Sequence, residues 1–206
     1  MVENQVKKKV VPTFTDRLRV AFSQPLEKIG SYLAARNIQA NWITLTGVIG
    51  TLIGSMLVSQ GWLVVGGSVI LVVGILDAFD GAVARASQSP KQFGAFLDSV
   101  SDRYIEIFIY GGLLFYFMQS DNNLGMIFSY IAVAGSVLVS YVRARAESLG
   151  LEAKVGILTR VERMVVIGPA ILFNIPLIGV ILVGVLANFT ALQRFFHVWQ
   201  QTNEIE

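Results

Sequence analysis

The sequence of 206 residues contains no cysteine and a single histidine, His197. Disulfide bonds and thiolate metal centres are therefore excluded, as are clusters of imidazole ligands. Charge is also scarce, because only 15% of the residues are Asp, Glu, Lys or Arg, whereas a soluble domain carries about 25%. With 54% hydrophobic residues and a mean hydropathy of +0.62, the composition predicts a polytopic membrane protein.

Long runs without charge indicate where the chain crosses the bilayer. The run from Asn37 to Leu76 has room for two helices, and the run from Asn122 to Val142 has room for one, since a span needs about 20 residues. The run from Ile107 to Ser120 is too short, so its helix must extend back through a more polar segment. The run from Met164 to Gln193 is too long for one span, and the sequence FNIP at 173–176 divides it.

These runs predict an all-α integral membrane protein with six transmembrane helices. The expected ranges are 42–60, 62–84, 94–118, 124–147, 156–173 and 175–198. Apolar residues spaced by three or four across 13–36 indicate an amphipathic helix on the membrane surface, interrupted near Pro25. A soluble helical lid is the alternative for this segment. We expect one domain over residues 1–206, with the membrane core at 37–200.

The basic residues predict the orientation of the protein. All 16 Lys and Arg residues map to one face of the six-helix arrangement, whereas the opposite loops, near Gln60, Asp121 and Asn174, contain none. Positive charge accumulates in cytoplasmic loops. We therefore expect a multi-pass protein of the cell (inner) membrane, with both termini and the polar ends of its helices on the cytoplasmic side.

Four aspartates, Asp77, Asp80, Asp98 and Asp102, fall at the predicted inner ends of the second and third spans. A charge on a lipid-facing helix costs about 2.5–3.5 kcal/mol even on milder scales, so these carboxylates should face a polar cavity or a cation. Each pair, spaced by three or four residues, shares one helix face. A divalent cation would relieve their mutual repulsion, and oxygen ligands favour Mg²⁺ or Mn²⁺.

Small residues and one arginine separate the two aspartate pairs. Gly81, Ala82, Ala84 and Gly94 allow a ligand to approach the backbone closely, and Arg85 is suited to binding a phosphate. Taken singly, each has an ordinary explanation, such as close helix packing or a positive charge at the inner membrane face. Combined with a metal site, they predict a binding site for a diphosphate.

The stretch DAFDGAVARASQSPKQFGAFLDSVSD at 77–102 resembles the signature of the CDP-alcohol phosphotransferase family, D-x2-D-G-x2-A-R-x8-G-x3-D-x3-D. Every fixed position of that signature matches. The six transmembrane helices and the amphipathic N-terminal helix of that family correspond to residues 14–196 of this chain. The resemblance implies a transferase for CDP-activated lipids whose cavity opens to the cytoplasm.

The resemblance also implies roles for individual residues. Asp77, Asp80, Asp98 and Asp102 would bind two divalent ions, Mg²⁺ or Mn²⁺, and Asp102 would act as the general base. An acceptor hydroxyl would attack the β-phosphorus of CDP-diacylglycerol and release CMP. The residues expected to contact the CDP-lipid are Asn41, Thr44, Gly81, Ala84, Arg85, Lys91 and Gly94. The family pattern differs at Lys91, where relatives have Ser or Thr, and at Ala40, where many have proline.

A second group of basic residues indicates the acceptor. Arg143, Arg160 and Arg194 fall at the inner ends of three different predicted helices, so they could form a phosphate pocket separate from the CDP site. The pattern SYVRARAESLG, TRVER and LQR resembles the bacterial phosphatidylinositol-phosphate synthases of the same family. That resemblance implies inositol phosphate as acceptor, held by Ser140, Arg143, Arg160 and Arg194.

Other functions remain open at this stage. A phosphatidylglycerophosphate synthase, with glycerol 3-phosphate as acceptor, is the nearest alternative. A cation transporter could also carry intramembrane carboxylates, although such sites lie nearer the bilayer centre. The expected partners are CDP-diacylglycerol, a phosphorylated polyol, membrane lipid and, from the family resemblance, a second copy of the chain in a homodimer. No nucleic-acid partner is expected.

Overall fold

The computed structural model describes residues 14–77, 79–87 and 92–203, and among residues 14–23 it describes the backbone only. Over these residues the chain is helical and contains no strand. The helices are α1 (Phe14–Ala35), α2 (Ala40–Ser59), α3 (Leu63–Asp77), α4 (Asp80–Ala86), α5 (Gln92–Gln119), α6 (Asn123–Ser148), α7 (Arg160–Leu172) and α8 (Pro176–Asn203). The all-α prediction is confirmed.

Three predicted helices need correction. The range 62–84 is divided between α3 and α4, with a turn in which the Phe79 N–H donates to the Leu76 carbonyl. Helix α7 starts at Arg160 rather than at 156, because Thr159 and Glu162 form a capping box there. Helix α1 continues through Pro25 without an interruption, since the loss of one hydrogen bond does not end a long helix that packs against a neighbour.

The helices pack closely through small residues. A Cβ on Gly66 would lie 2.5 Å from the Gly54 carbonyl oxygen, and one on Gly112 would lie 2.5 Å from the Ser55 carbonyl oxygen. Helix α2 therefore contacts α3 and α5 almost backbone to backbone. Helix α8 packs along α6, and α7 packs against α3 and α8. The buried core between these helices includes Leu113, Ile171 and Val183.

The outer surface of the helices is apolar. Ile49, Ile75 and Phe195 have 58%, 64% and 58% of their surface exposed, which is unfavourable in water but suits contact with lipid. In the part of the chain that the structure describes, four helical segments are long and apolar enough to cross a membrane: Ala40–Ser59, Leu63–Ala86, Asn123–Ser148 and Pro176–Asn203. The expectation of a membrane protein is thereby supported.

Candidate active site

The ends of three helices bring the four aspartates together. Asp77 ends α3, Asp80 begins α4, and Asp98 and Asp102 lie one turn apart on α5. The charge of Asp77 interacts with those of the other three, and Asp98 also interacts with Asp80 and Asp102. The interruption between α3 and α4 separates the surroundings of the first two carboxylates. Asp77 faces α7, whereas Asp80 accepts a hydrogen bond from the Thr44 hydroxyl at 2.7 Å.

A cavity of about 540 Å³ opens beside Asp80 and Asp98. Seven of the residues predicted to contact the CDP-lipid or its metals line it: Asn41, Thr44, Asp80, Gly81, Ala84, Gly94 and Asp98. A Cβ on Gly94 would lie 3.3 Å from the Asn41 side-chain oxygen, so the absence of a side chain there keeps the wall of the cavity open.

Arg85 lies beside this cavity, one turn from Gly81 on α4. The guanidinium group is 3.4 Å from the point where a Cβ of Gly81 would be. Arg85 lines a second cavity of about 530 Å³, between α4 and the residues Gln24, Glu27 and Lys28 of α1. Lys91, the remaining predicted contact, lies outside the described residues.

Arg160, predicted as a ligand of the acceptor phosphate, lies directly against the aspartates. Its Nη2 donates to Asp77 Oδ2 at 2.9 Å, and its Nη1 is 2.7 Å from Asp102 Oδ1. The first turn of α7 therefore places a guanidinium group between α3 and α5. The sequence did not indicate this contact, because Arg160 is separated from both partners along the chain by more than a complete helix.

The other predicted acceptor residues lie on α6 and α8. Arg143 is exposed and forms a 2.8 Å ion pair with Glu147, one turn further along the same helix. Arg194 is buried, and it donates to the carbonyl oxygens of Val139 and Val155 at 2.7 and 2.9 Å. Ser140, the residue after Val139, is half-buried. The positive charges of Arg143 and Arg194 interact, and their repulsion would be relieved by an anion.

A buried ion pair lies one turn beyond the contact between Arg160 and Asp102. Arg163 Nε donates to Glu106 Oε1 at 2.7 Å, and each side chain is only 1% exposed. The length of charge-free sequence predicts that Glu106 lies near membrane depth, but the sequence does not identify its partner. Arg163 also donates from Nη1 to the Leu158 carbonyl at 3.0 Å.

The aspartate cluster has the chemistry of a divalent-cation site. Among the described residues, no three acidic or imidazole side chains lie close enough to hold one metal ion together. The Arg160 guanidinium lies between Asp77 and Asp102. Asp77 Oδ1 is nevertheless buried with no hydrogen-bond partner among the described residues. A buried carboxylate oxygen without a partner is costly, so this oxygen is suited to binding a cation.

The signature, the helical fold and the acidic cavity agree with a comparison against known families. Residues 37–199 match the model of the CDP-alcohol phosphatidyltransferases. The chain belongs to this family of membrane-bound lipid phosphotransferases.

Curated relatives include enzymes of inositol-lipid synthesis. The chain is 37% identical over 181 residues to archaetidylinositol phosphate synthase from Pyrococcus horikoshii, covering 87% of this chain and 94% of the relative. Identity to the enzyme of the same name from Methanothermobacter thermautotrophicus is 35% over 170 residues, or 80% and 85% of the two chains. The chain is 34% identical over 153 residues to phosphatidylinositol phosphate synthase from Cutibacterium acnes, covering 73% of this chain and 74% of the relative.

Solved structures of phosphatidylinositol phosphate synthase from Mycobacterium tuberculosis share the fold. The structure in complex with manganese and citrate superposes with a TM-score of 0.78 at 27% identity, covering 84% of this chain and 88% of that one. The structure with CDP-DAG bound gives a TM-score of 0.76 at 27% identity, with coverages of 84% and 93%.

Proposed function

We propose that this protein transfers the phosphatidyl group of CDP-diacylglycerol to inositol phosphate, giving phosphatidylinositol phosphate and CMP. The observation that carries the proposal is the contact of Arg160 with Asp102 at 2.7 Å. It places a side chain suited to binding phosphate directly beside the carboxylate proposed to activate the acceptor hydroxyl. The relatives from Pyrococcus horikoshii and Cutibacterium acnes are named for different lipids, archaetidylinositol phosphate and phosphatidylinositol phosphate, and both lipids carry an inositol phosphate group.

The CDP moiety is proposed to occupy the cavity between α2, α4 and α5. Its lining supplies a side-chain amide from Asn41, a hydroxyl from Thr44 and the open backbone of Gly81, Ala84 and Gly94. Arg85, one turn from Gly81, would neutralise the diphosphate from the adjoining cavity between α4 and α1. Lys91 stays a predicted contact.

Asp77, Asp80, Asp98 and Asp102 are proposed to hold two divalent ions, Mg²⁺ or Mn²⁺. When bound, such ions neutralise the diphosphate and stabilise the departing phosphate. The Thr44 hydroxyl donates to Asp80 Oδ2 at 2.7 Å and so fixes the position of this carboxylate. An ion could contact both Asp77 and Asp102 only if Arg160 broke its ion pair with one of these two residues.

Asp102 is proposed as the general base. It takes the proton of an inositol hydroxyl, whose oxygen then forms a bond to the β-phosphorus of the CDP-lipid. The bond between that phosphorus and the oxygen shared with the α-phosphate breaks, and CMP carries away the electron pair. Arg160 can hold the acceptor phosphate close to this carboxylate, with Ser140, Arg143 and Arg194 as the further proposed ligands of that phosphate.

The membrane arrangement is also a proposal. We infer six spans, with α5 and α7 added to the four apolar segments. Helix α5 has 28 residues, which is long enough to cross, whereas α7 has 13 and would cross together with the segment that leads into it. Helix α1 would lie on the cytoplasmic surface as an amphipathic segment, over a single domain formed by the whole chain. Both termini and the active site would face the cytoplasm of the cell (inner) membrane. A homodimer is proposed from the family resemblance.

The proposal is tested by measuring CMP release from CDP-diacylglycerol by the purified protein in detergent. Inositol phosphate with Mg²⁺ or Mn²⁺ should support the reaction, and EDTA should abolish it. A parallel assay with CDP-archaeol in place of CDP-diacylglycerol measures which lipid donor the protein prefers. Full activity in EDTA would contradict the metal mechanism, and cation uptake into liposomes without CMP release would favour a transporter.

A matched pair of variants tests the acceptor pocket. Arg143→Ala should raise the KM for inositol phosphate about tenfold, because a charge-assisted hydrogen bond contributes about 1.5–3 kcal/mol. Arg145→Ala, an equally exposed arginine of the same helix, should leave that KM nearly unchanged. Equal effects of the two variants would show that Arg143 acts only through general positive charge.

A further inference from the structure

Two ion pairs connect α5 to α7, one above the other. Asp102 pairs with Arg160, and one turn deeper Glu106 pairs with Arg163, both at 2.7 Å. The spacings of four and three residues place the members of each helix on one face. The outer pair borders the aspartate cluster, and its arginine is 30% exposed, whereas both side chains of the inner pair are 1% exposed.

The inner pair joins two helices whose backbones pack mainly against other neighbours. The backbone of α7 packs against α3 and α8, and the backbone of α5 packs against α2 and α6. The long side chains of Glu106 and Arg163 span the distance between α5 and α7. A buried ion pair also adds little net stability, since well-packed apolar residues of similar volume are often as stable or more so. Stability alone does not account for the presence of this pair.

Arg163 also fixes the segment that leads into α7. Its Nη1 donates to the Leu158 carbonyl at 3.0 Å, and the Leu158 N–H donates to the Thr190 hydroxyl at 3.2 Å. Three residues earlier, the Val155 carbonyl accepts from Arg194 Nε. Side chains of α7 and α8 thus hold the backbone of 155–158 just before the first turn of α7 begins at Arg160.

We infer that Glu106 and Arg163 are positioning residues, which set Arg160 at the proper distance from Asp102 for the acceptor phosphate to be held beside the general base. The inference rests on the proposed function. Glu106 lies on the same helix as Asp102, so the distance from Arg160 to the base is fixed through one rigid element. If the ion pair between Glu106 and Arg163 were lengthened or lost, the N-terminus of α7 could move away from α5. The acceptor phosphate bound by Arg160 would then move away from Asp102.

The test replaces both partners at once, because removal of one would leave a buried charge uncompensated. The variant Glu106→Met/Arg163→Met should fold with a melting temperature within a few degrees of the parent protein. Its KM for inositol phosphate should rise about tenfold or more, whereas its KM for CDP-diacylglycerol should change by less than about twofold. An unchanged acceptor KM, or an equal rise in both constants, would overturn the inference.

Arg163→Lys gives a second variant if the double replacement does not fold. Lysine keeps the positive charge opposite Glu106 but lacks the planar guanidinium group, whose second nitrogen also donates to the Leu158 carbonyl. The acceptor KM should therefore rise, by a smaller factor than in the double variant. A parental acceptor KM in this variant would overturn the inference. Asn188→Ala serves as the control, since it removes contacts between α6 and α8 and should lower stability without altering the ratio of the two KM values.

Hydrogen exchange separates this inference from the proposed function, because it needs no substrate. Backbone amides of 155–160 should exchange about tenfold faster in both Arg163 variants than in the parent protein, and at the parental rate in Asn188→Ala. Unchanged exchange in this segment would overturn the positioning role even if transfer is observed. Failure of the parent protein to use inositol phosphate, with faster exchange in the variants, would overturn the proposed acceptor alone.

Discussion

In the proposed mechanism Asp102 has two roles, as a metal ligand and as the general base, and both depend on its neighbours. It is mostly buried and pairs with Arg160, and the negative charges of Asp77 and Asp98 lie near it. A carboxylate in these surroundings is held at a fixed position. In the proposed mechanism it would contact the metal ions and the acceptor hydroxyl, while Arg160 beside it would bind the acceptor phosphate.

Replacement of this base gives the sharpest prediction for a single residue. Asp102→Asn keeps the shape and one oxygen but cannot accept the proton, so turnover should fall about 10²–10⁴-fold. The KM for CDP-diacylglycerol should change much less. Both quantities are measured by CMP release at varied lipid concentration.

Asp121→Asn is the matched control for this substitution. Asp121 is exposed in the turn after α5 and has φ +50°, a conformation that asparagine adopts readily. The control should retain parental turnover. Near-parental turnover in Asp102→Asn would remove Asp102 from the role of base.

At the level of helices, α1 and α4 approach each other closely beside the CDP cavity. A Cβ on Gly30 would lie 2.7 Å from both the carbonyl carbon and the Cβ of Ala82. Helix α4 carries Asp80 and Gly81, and Arg85 lies in its last turn. The position of α1 therefore sets the position of the residues proposed to bind the diphosphate.

Gly30→Ala should consequently impair the donor site. Alanine normally stabilises a helix relative to glycine by about 0.5–1 kcal/mol, but here it must push α1 away from α4. The KM for CDP-diacylglycerol should rise several-fold, with a lower melting temperature and a nearly unchanged acceptor KM. Gly74→Ala on α3, where no atom lies within 4 Å of the new Cβ, should show neither effect, and equal behaviour of the two variants would contradict the account.

The helices themselves could be predicted from the sequence more completely than the site. Runs of apolar residues have the length of a membrane span, so the ranges for α2, α5 and α6 differ from the structure by only one or two residues. The break at Asp77 and the late start of α7 depend on a turn and a capping box, which periodicity does not report. The aspartate pairs were visible because their members are close in sequence. The contacts of Arg160 and Arg163 could not be predicted from the sequence, because they depend on which helices become neighbours in the fold.

At the scale of the whole molecule, the arrangement in the membrane can be tested directly. The chain has no cysteine, so an introduced cysteine is the sole thiol available to a membrane-impermeant maleimide. With six spans, Gln60→Cys and Ser120→Cys should be labelled from the external side, and Ser148→Cys and Gln200→Cys from the cytoplasmic side. If α5 and α7 did not cross, Ser120 and Ser148 would exchange sides. Comparing the labelling of intact cells with that of inverted vesicles shows on which side of the membrane each cysteine lies.

The identity of the acceptor is the central claim, and a competition assay tests it most directly. The purified protein is given CDP-diacylglycerol and Mg²⁺ with equal concentrations of inositol phosphate, glycerol 3-phosphate and free inositol, and the lipid products are identified by mass spectrometry. The account predicts that phosphatidylinositol phosphate predominates and that free inositol is not used, because the arginines of α6, α7 and α8 require a phosphate on the acceptor. Phosphatidylglycerophosphate as the main product would contradict the proposed acceptor, and phosphatidylinositol as the main product would contradict the phosphate pocket itself.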